Sequence, residues 1–87
     1  MENIPRVLPE GVRAIVRPGT WPIPPVFSLI QQQGGIATDE MYRVFNMGIG
    51  MVVIVSSADT LKMRSALNEE SWVIGELTEG TRGLELA

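Results

Sequence analysis

The chain reads as an α+β domain, a partial layered structure with helices packed on a mixed or antiparallel sheet. Three observations predict this. The 87 residues alternate between helix-like and strand-like segments in no regular βα order. Pro-Gly and Gly-Gly pairs punctuate them. The stretch Met47–Val55 is apolar without alternating, interrupted only by glycines, which is the pattern of a central strand buried on both faces.

The elements follow in order. Asn3 is placed to cap a short turn in which Pro5 sits early, where a missing N–H costs nothing. Pro9 and Gly11 stop that turn. Val12 to Arg17 alternates imperfectly, with Val12, Ala14 and Val16 on one side and Arg13, Ile15 and Arg17 on the other, as expected for a strand with one exposed face. Pro18-Gly19 turns the chain. Trp21-Pro-Ile-Pro-Pro25 forms a stiff extended linker. A helix opens at Pro24 or Pro25, carries Val26, Leu29, Ile30 and Gln33 at helical spacing with Phe27 beside them, and ends at Gly34-Gly35.

Thr38 is the expected N-cap of the next helix, with Asp39 and Glu40 in its first turn. Its apolar stripe is Met41, Val44 and Phe45, and Asn46 marks its end. Gly48–Val55 is the expected central strand. Ser56-Ser-Ala-Asp59 has the Ser-x-x-acid form of a helix start, and that helix runs to about Asn68. Trp72–Leu77 is a further strand, Thr78-Glu-Gly80 a turn, and Gly83–Leu86 a short closing strand.

Composition narrows the function. A domain of this size buries roughly 60–65% of its unfolded surface, so its stability is marginal without help from other polypeptide. Cysteine and histidine are both absent. This removes disulfides, most zinc sites, thiol nucleophiles and every Ser-His or Cys-His dyad. The net charge of −3 argues against nucleic-acid binding, which needs clustered positive charge. Six of the seven basic residues are arginines, suited to bidentate phosphate or carboxylate contacts, with surface ion pairing as the plainer role. The apolar run is far short of the ~20 residues of a membrane span, and no signal-peptide core opens the chain. A cytoplasmic protein is expected.

Few residues offer chemistry. Gly48-Ile-Gly50 matches half of a dinucleotide fingerprint, but Val53 stands where the third glycine belongs. It also follows a helix and opens a strand, the reverse of the nucleotide-binding order. Two readings stay open. The glycines allow close packing of neighbouring backbone, or they bring bare backbone to hold a phosphate or amide. Asn3 and Arg6 put an amide and a guanidinium on one turn, fit for a phosphate ester or amide; a cap and a surface arginine are the alternative. Asp39, Glu40, Glu69 and Glu70 suit solvated helix ends, and no general acid–base pair stands out. Met41, Met47, Met51 and Met63 read as core filling.

Glu2-Asn-Ile-Pro-Arg-Val-Leu-Pro-Glu-Gly11, Trp21-Pro-Ile-Pro-Pro25 and Met41-Tyr-Arg-Val-Phe-Asn-Met-Gly-Ile-Gly-Met51, with Trp72-Val-Ile-Gly-Glu76, together resemble the phosphoribosylformylglycinamidine cyclo-ligase (aminoimidazole ribonucleotide synthetase) family. These blocks occur in the family's order and cover nearly the whole chain. The resemblance implies a ligase of de novo purine biosynthesis. Such an enzyme uses ATP with Mg2+ to activate the formyl amide oxygen of formylglycinamidine ribonucleotide, and closes the imidazole ring as phosphate leaves. It also implies a homodimer, and a carboxy-terminal domain that is layered α/β and partly ferredoxin-like.

By this resemblance, residues 1–87 form a single partial domain, the last part of the carboxy-terminal domain. The amino-terminal ATP-binding domain and a Gly-Gly-Gly loop would lie upstream of Glu2. The segment is then expected to be inactive alone, to bind no cofactor of its own, and to expose much apolar surface around Gly48–Val55. Carried over by position, Asn3, Arg6, Asn46, Gly48 and Gly50 face the substrate cleft and position substrate or phosphate; no catalytic base and no metal ligand is assigned. Two alternatives remain: a non-catalytic oligomerising module, and a piece of a related ATP-using enzyme such as selenophosphate synthetase or thiamine-phosphate kinase.

Overall fold

The computed structural model describes residues 1, 3–67 and 69–87. Four helices and three strands follow in the order α1 (Asn3–Arg6), β1 (Val12–Val16), α2 (Pro25–Gly34), α3 (Thr38–Val44), α4 (Thr60–Ala66), β2 (Gly75–Glu79) and β3 (Gly83–Leu86). The fold class is the expected α+β arrangement, and the sheet is mixed. β1 lies in the middle, antiparallel to β2 and parallel to β3. Because β2 and β3 flank β1, residues 80–82 must cross its end, a span of about 9.6 Å for two strand spacings. The Gly80 N–H donates to the Gly11 carbonyl at 3.0 Å as the chain passes over.

Alternation along β1 divides the two faces as its sequence implies. Ala14 and Val16 are buried, and Leu84 and Leu86 of β3 pack with Val16 around the core. On the other face Arg13 reaches diagonally to Glu85 at 2.8 Å and Arg17 to Glu76 at 2.7 Å. These exposed cross-strand pairs tie β1 to both neighbours, at about 0–1 kcal/mol each. Surface ion pairing thus accounts for Arg13, Arg17, Arg43 (with Glu40) and, more loosely, Arg82 with Glu10 at 3.7 Å.

The core sits where this sheet face meets α2 and α3. Val16, Trp21, Met41, Tyr42 and Met47 are its buried members. Trp21 meets Tyr42 edge-on, and Phe27 meets Phe45 the same way at 5.9 Å. α2 begins as its sequence dictates, with Pro25 in the first turn after an extended Pro24, and ends on Gly35 in the left-handed conformation (φ 61°).

Several local expectations need correction. Phe27 and Ile30 turn inward from α2, while Val26 and Leu29 are exposed. On α3, Tyr42 takes the buried place expected of Val44, which is 57% exposed. Ala37, not Thr38, is the N-cap, and Thr38 instead accepts a hydrogen bond from the Gln31 side chain. That helix ends at Val44, before Asn46. Asn3 is the first residue of α1. Ser56 and Asp59 do pair, the hydroxyl donating to the carboxylate at 2.8 Å, but they bracket a 3-10 turn (Ser57–Asp59) that leads into α4. The left-handed cap expected at Asn68 lies outside the described residues. β2 starts at Gly75 rather than Trp72 and includes Thr78 and Glu79, which were expected to turn.

The largest correction concerns Gly48–Val55. It forms no strand, and Met51, Val52, Val53 and Ile54 are 84%, 38%, 52% and 45% exposed. A central strand needs ladder partners on both edges, and the described strands pair only around β1. Met51 is consequently no core filler, whereas Met41 and Met47 are. No helix among the described residues is long and apolar enough to cross a membrane.

Candidate functional site

The two glycines of Asn46-Met-Gly-Ile-Gly50 turn out to have different jobs. Met47 and Gly48 both have positive φ, 54° and 94°, and the Ile49 N–H donates to the Asn46 carbonyl at 3.0 Å. This is a tight turn with two left-handed central residues. Glycine takes such a conformation freely; methionine does so only under constraint. The constraint is visible. Met47 is buried, and the indole N–H of the buried Trp21 donates to its carbonyl at 3.0 Å. A side chain at Gly48 would also collide with Pro24, its Cβ falling 2.6 Å from the Pro24 Cδ. Gly50 has open space on that side, with nothing within 4 Å. The close-packing reading therefore applies to Gly48 and not to Gly50.

Asn46 completes the turn. Its side-chain oxygen accepts the Gly48 N–H at 2.9 Å. An N–H cannot donate to the amide nitrogen, so the Asn46 NH2 points away from that bond and keeps its donors for something else. The residue is exposed.

From this turn the chain runs along a groove of about 510 Å3. Its lining is drawn from Gly48–Val55, from Glu69–Leu77, from Met63 and Arg64 of α4, and from Ala14–Val16 of β1. Arg64 is held in place by Ser71, donating to its hydroxyl and its carbonyl at 3.1 and 2.8 Å. α1 reaches the same groove through Ile4.

Gly48 and Gly50 line the groove directly, and Asn46 is joined to it through the turn. Asn3 and Arg6, both exposed, sit on the helix whose Ile4 touches the groove, at its margin rather than in its lining. Among the described residues no carboxylate is paired with Arg6, unlike most of the other arginines. Sequence reasoning missed Trp21, treating its segment as a linker. The signal was present: an indole beside prolines is too large to leave in water and needs an acceptor once buried.

Burial raises the Tyr42 phenol above its ordinary value. Glu40 is lowered by the side-chain hydrogen bonds from Arg43, desolvation opposing and charge attraction assisting. Among the described residues no group of three or more His, Cys, Asp or Glu is arranged to hold a metal ion.

Comparison with known proteins agrees with the motifs. Residues 1–85 match the family model described as AIR synthase related protein, C-terminal domain. The chain is 56% identical over 79 residues to the phosphoribosylformylglycinamidine cyclo-ligase of Methylobacillus flagellatus, covering 87% of this chain and 23% of that protein. It is 47% identical over 88 residues to the enzyme of that name from Alkaliphilus metalliredigens, covering 98% and 25%. For that from Paraburkholderia xenovorans the figures are 50% over 86 residues, 95% and 24%. The chain spans about a quarter of the length of the curated relatives it matches. With the family model matched from residue 1 to residue 85, the chain belongs to the AIR synthase related protein C-terminal domain family.

Proposed function

We propose that the chain serves as the carboxy-terminal part of a phosphoribosylformylglycinamidine cyclo-ligase. That enzyme would convert formylglycinamidine ribonucleotide to aminoimidazole ribonucleotide with ATP, in the cytoplasm and as a homodimer. The observation that carries the reading is identity of 56% across 87% of the chain to a relative bearing that name. In this role Arg6, which has no carboxylate partner among the described residues, offers its guanidinium fork to the substrate phosphate. Asn3 and the outward NH2 of Asn46 donate to substrate oxygens. Gly50, with open space beside it, keeps side chains out of the way so that substrate can approach backbone, and Gly48 holds the turn that presents this backbone to the substrate.

The chain has no histidine or cysteine, and so neither an imidazole proton carrier nor a thiol nucleophile. Its contribution to rate is orientation, which can account for about 7–11 kcal/mol of a barrier when reactants are held in near-attack geometry. Among the described residues no group of three or more His, Cys, Asp or Glu could hold a metal ion, and the enzyme would also need Mg2+ and its nucleotide. Both belong to the remainder of the enzyme in this reading, and the isolated chain is inactive.

Reconstitution tests it. The purified chain is mixed with the remaining three-quarters of the Methylobacillus flagellatus relative, and ring closure is followed with formylglycinamidine ribonucleotide, ATP and Mg2+. The chain alone gives no product and the mixture does. Product from the chain alone would overturn its inactivity; a mixture that forms no product would overturn the assignment. A second reading, an oligomerising module without catalysis, is favoured by the exposed apolar run Met51–Ile54. Light scattering distinguishes it, since a dilute monomer is incompatible with that role.

A further inference from the structure

The peptide between Met47 and Gly48 is held at both ends, from opposite sides. Its carbonyl takes the indole N–H of Trp21 at 3.0 Å, inside the core. Its N–H donates to the Asn46 side-chain oxygen at 2.9 Å, at the exposed surface. A trans peptide is planar, so its carbonyl and its N–H point in opposite directions and turn together. Fixing one end therefore fixes the other. The local backbone does not do this by itself. Gly48 accepts φ of either sign, so no side chain there opposes a flip of the peptide. Met47 sits at φ 54°, a conformation that methionine seldom takes. A flip would turn the Gly48 N–H away from Asn46 and release the Asn46 side chain. Trp21 opposes that flip. It is 4% exposed and its ring meets Tyr42 edge-on at 6.2 Å, so its N–H is not free to follow a turned carbonyl.

We propose that Trp21 is a positioning residue for the substrate site. Through the Met47–Gly48 peptide it sets the direction in which Asn46 presents its NH2, without touching substrate itself. This rests on the reading of the chain as part of the cyclo-ligase, in which that NH2 donates to a substrate oxygen. The chemistry accounts for tryptophan at this place. An indole carries one donor and no acceptor on a large apolar body, so it satisfies a buried carbonyl and brings no second polar atom into the core. Phenylalanine would fill much of the same space without the donor, leaving the carbonyl to seek water by turning outward.

Steady-state kinetics tests this, with the chain mixed with the remaining three-quarters of the Methylobacillus flagellatus relative. Trp21→Phe should raise KM for formylglycinamidine ribonucleotide about fivefold or more and leave kcat within about twofold, the pattern of a lost binding contact. A merely structural loss lowers the active fraction instead, reducing apparent kcat and leaving KM alone. Asn46→Ala should raise KM comparably. Adding Trp21→Phe to it should change KM by less than about twofold, since both act on one donor. Ile30→Val, a small loss from the same core, should leave KM within about twofold. In the free chain, the amide proton of Gly48 should shift upfield in Trp21→Phe as its bond to Asn46 opens. Should Trp21→Phe fail to fold, 3-benzothienylalanine replaces Trp21 in a synthetic chain. It keeps the bicyclic shape, exchanges the N–H for sulfur, and carries the same expectations. An unchanged KM or Gly48 shift in the donor-free variant overturns the positioning role and leaves the enzyme reading standing. So do additive effects with Asn46→Ala, or an equal rise of KM in Ile30→Val. A parent mixture that forms no product overturns the enzyme reading and this inference with it.

Discussion

Gly75 offers the most direct challenge to the packing of the sheet. It opens β2 opposite Val16, and a Cβ built there would fall 1.9 Å from the Ile15 carbonyl oxygen, 2.9 Å from the Ile15 carbonyl carbon and 3.0 Å from the Val16 Cα. All three are backbone atoms, so no side chain can swing aside. Reaching ordinary van der Waals contact requires the strands to separate by about 1.5 Å at this point. The adjoining Arg17 N–H to Ile74 carbonyl bond, now 2.7 Å, would stretch beyond hydrogen-bonding distance. Losing one or two ladder bonds at about 1 kcal/mol each, with overpacking strain of about 1–3 kcal/mol, gives a cost of about 2–4 kcal/mol for Gly75→Ala. A domain of this length has only about 4–13 kcal/mol in total. Urea unfolding followed by far-ultraviolet circular dichroism measures the difference, and Tm should fall by about 10 °C or more. A Gly75→Ala chain within about 0.5 kcal/mol of the parent would refute the close approach of β1 and β2.

Trp21→Phe should cost about 1–3 kcal/mol in the same unfolding assay, since it strands the buried Met47 carbonyl that the indole N–H now satisfies. Gly48→Ala combines a left-handed φ of 94° with a 2.6 Å approach to Pro24 and should lose about 1–3 kcal/mol. Gly50→Ala, with open space around it and no positive φ, should be neutral or slightly stabilising, within about 1 kcal/mol; equal losses at both glycines would contradict the turn. Glu40 has a folded-state value lowered by its hydrogen bonds from Arg43. The sign follows: its contribution to stability is present above the ordinary glutamate range and disappears as pH falls through the lowered value. Carboxyl-resolved NMR titration should show Glu40 moving back toward the ordinary range in Arg43→Gln, and no movement would remove the pair from the account.

What the sequence revealed and what it concealed divide along physical lines. Local punctuation was readable: Pro25 and Gly35 bound α2 because one has a fixed φ and the other takes left-handed φ. The alternation of Ala14 and Val16 identified the inner face of β1 for the same kind of reason. Selection among apolar residues was not readable. Nothing local distinguishes Val26 or Leu29 from Phe27 or Ile30; the aromatic partner Phe45 makes the choice. The run Met47–Val55 announced burial without naming what would bury it; Met47 enters the core, but no described strand pairs with the residues after it. At the candidate site, Gly48 and Gly50 looked equivalent as letters. The left-handed φ of Gly48 and its approach to Pro24 separate them, and that contact joins residues distant in sequence, as does the bond from Trp21 to Met47.

The unpaired segment is anchored at one end and guided at the other. The Asn46–Ile49 turn is fixed to the core through Trp21 and Pro24, and the 3-10 turn Ser57–Asp59 follows, closed by Ser56 and Asp59. Between them Met51–Ile54 makes no ladder and faces water. Order in the groove is therefore graded. Asn46 and Gly48 already hold their geometry, so a ligand that uses them meets preorganised groups with little ordering cost. From Gly50 onward the segment has no ladder partner among the described residues, and ordering it against any partner would draw on the free energy of that docking. A substitution at Asn46 or Gly48 therefore alters a geometry already formed, whereas one at Val52 or Val53 alters a segment that the described strands leave unpaired.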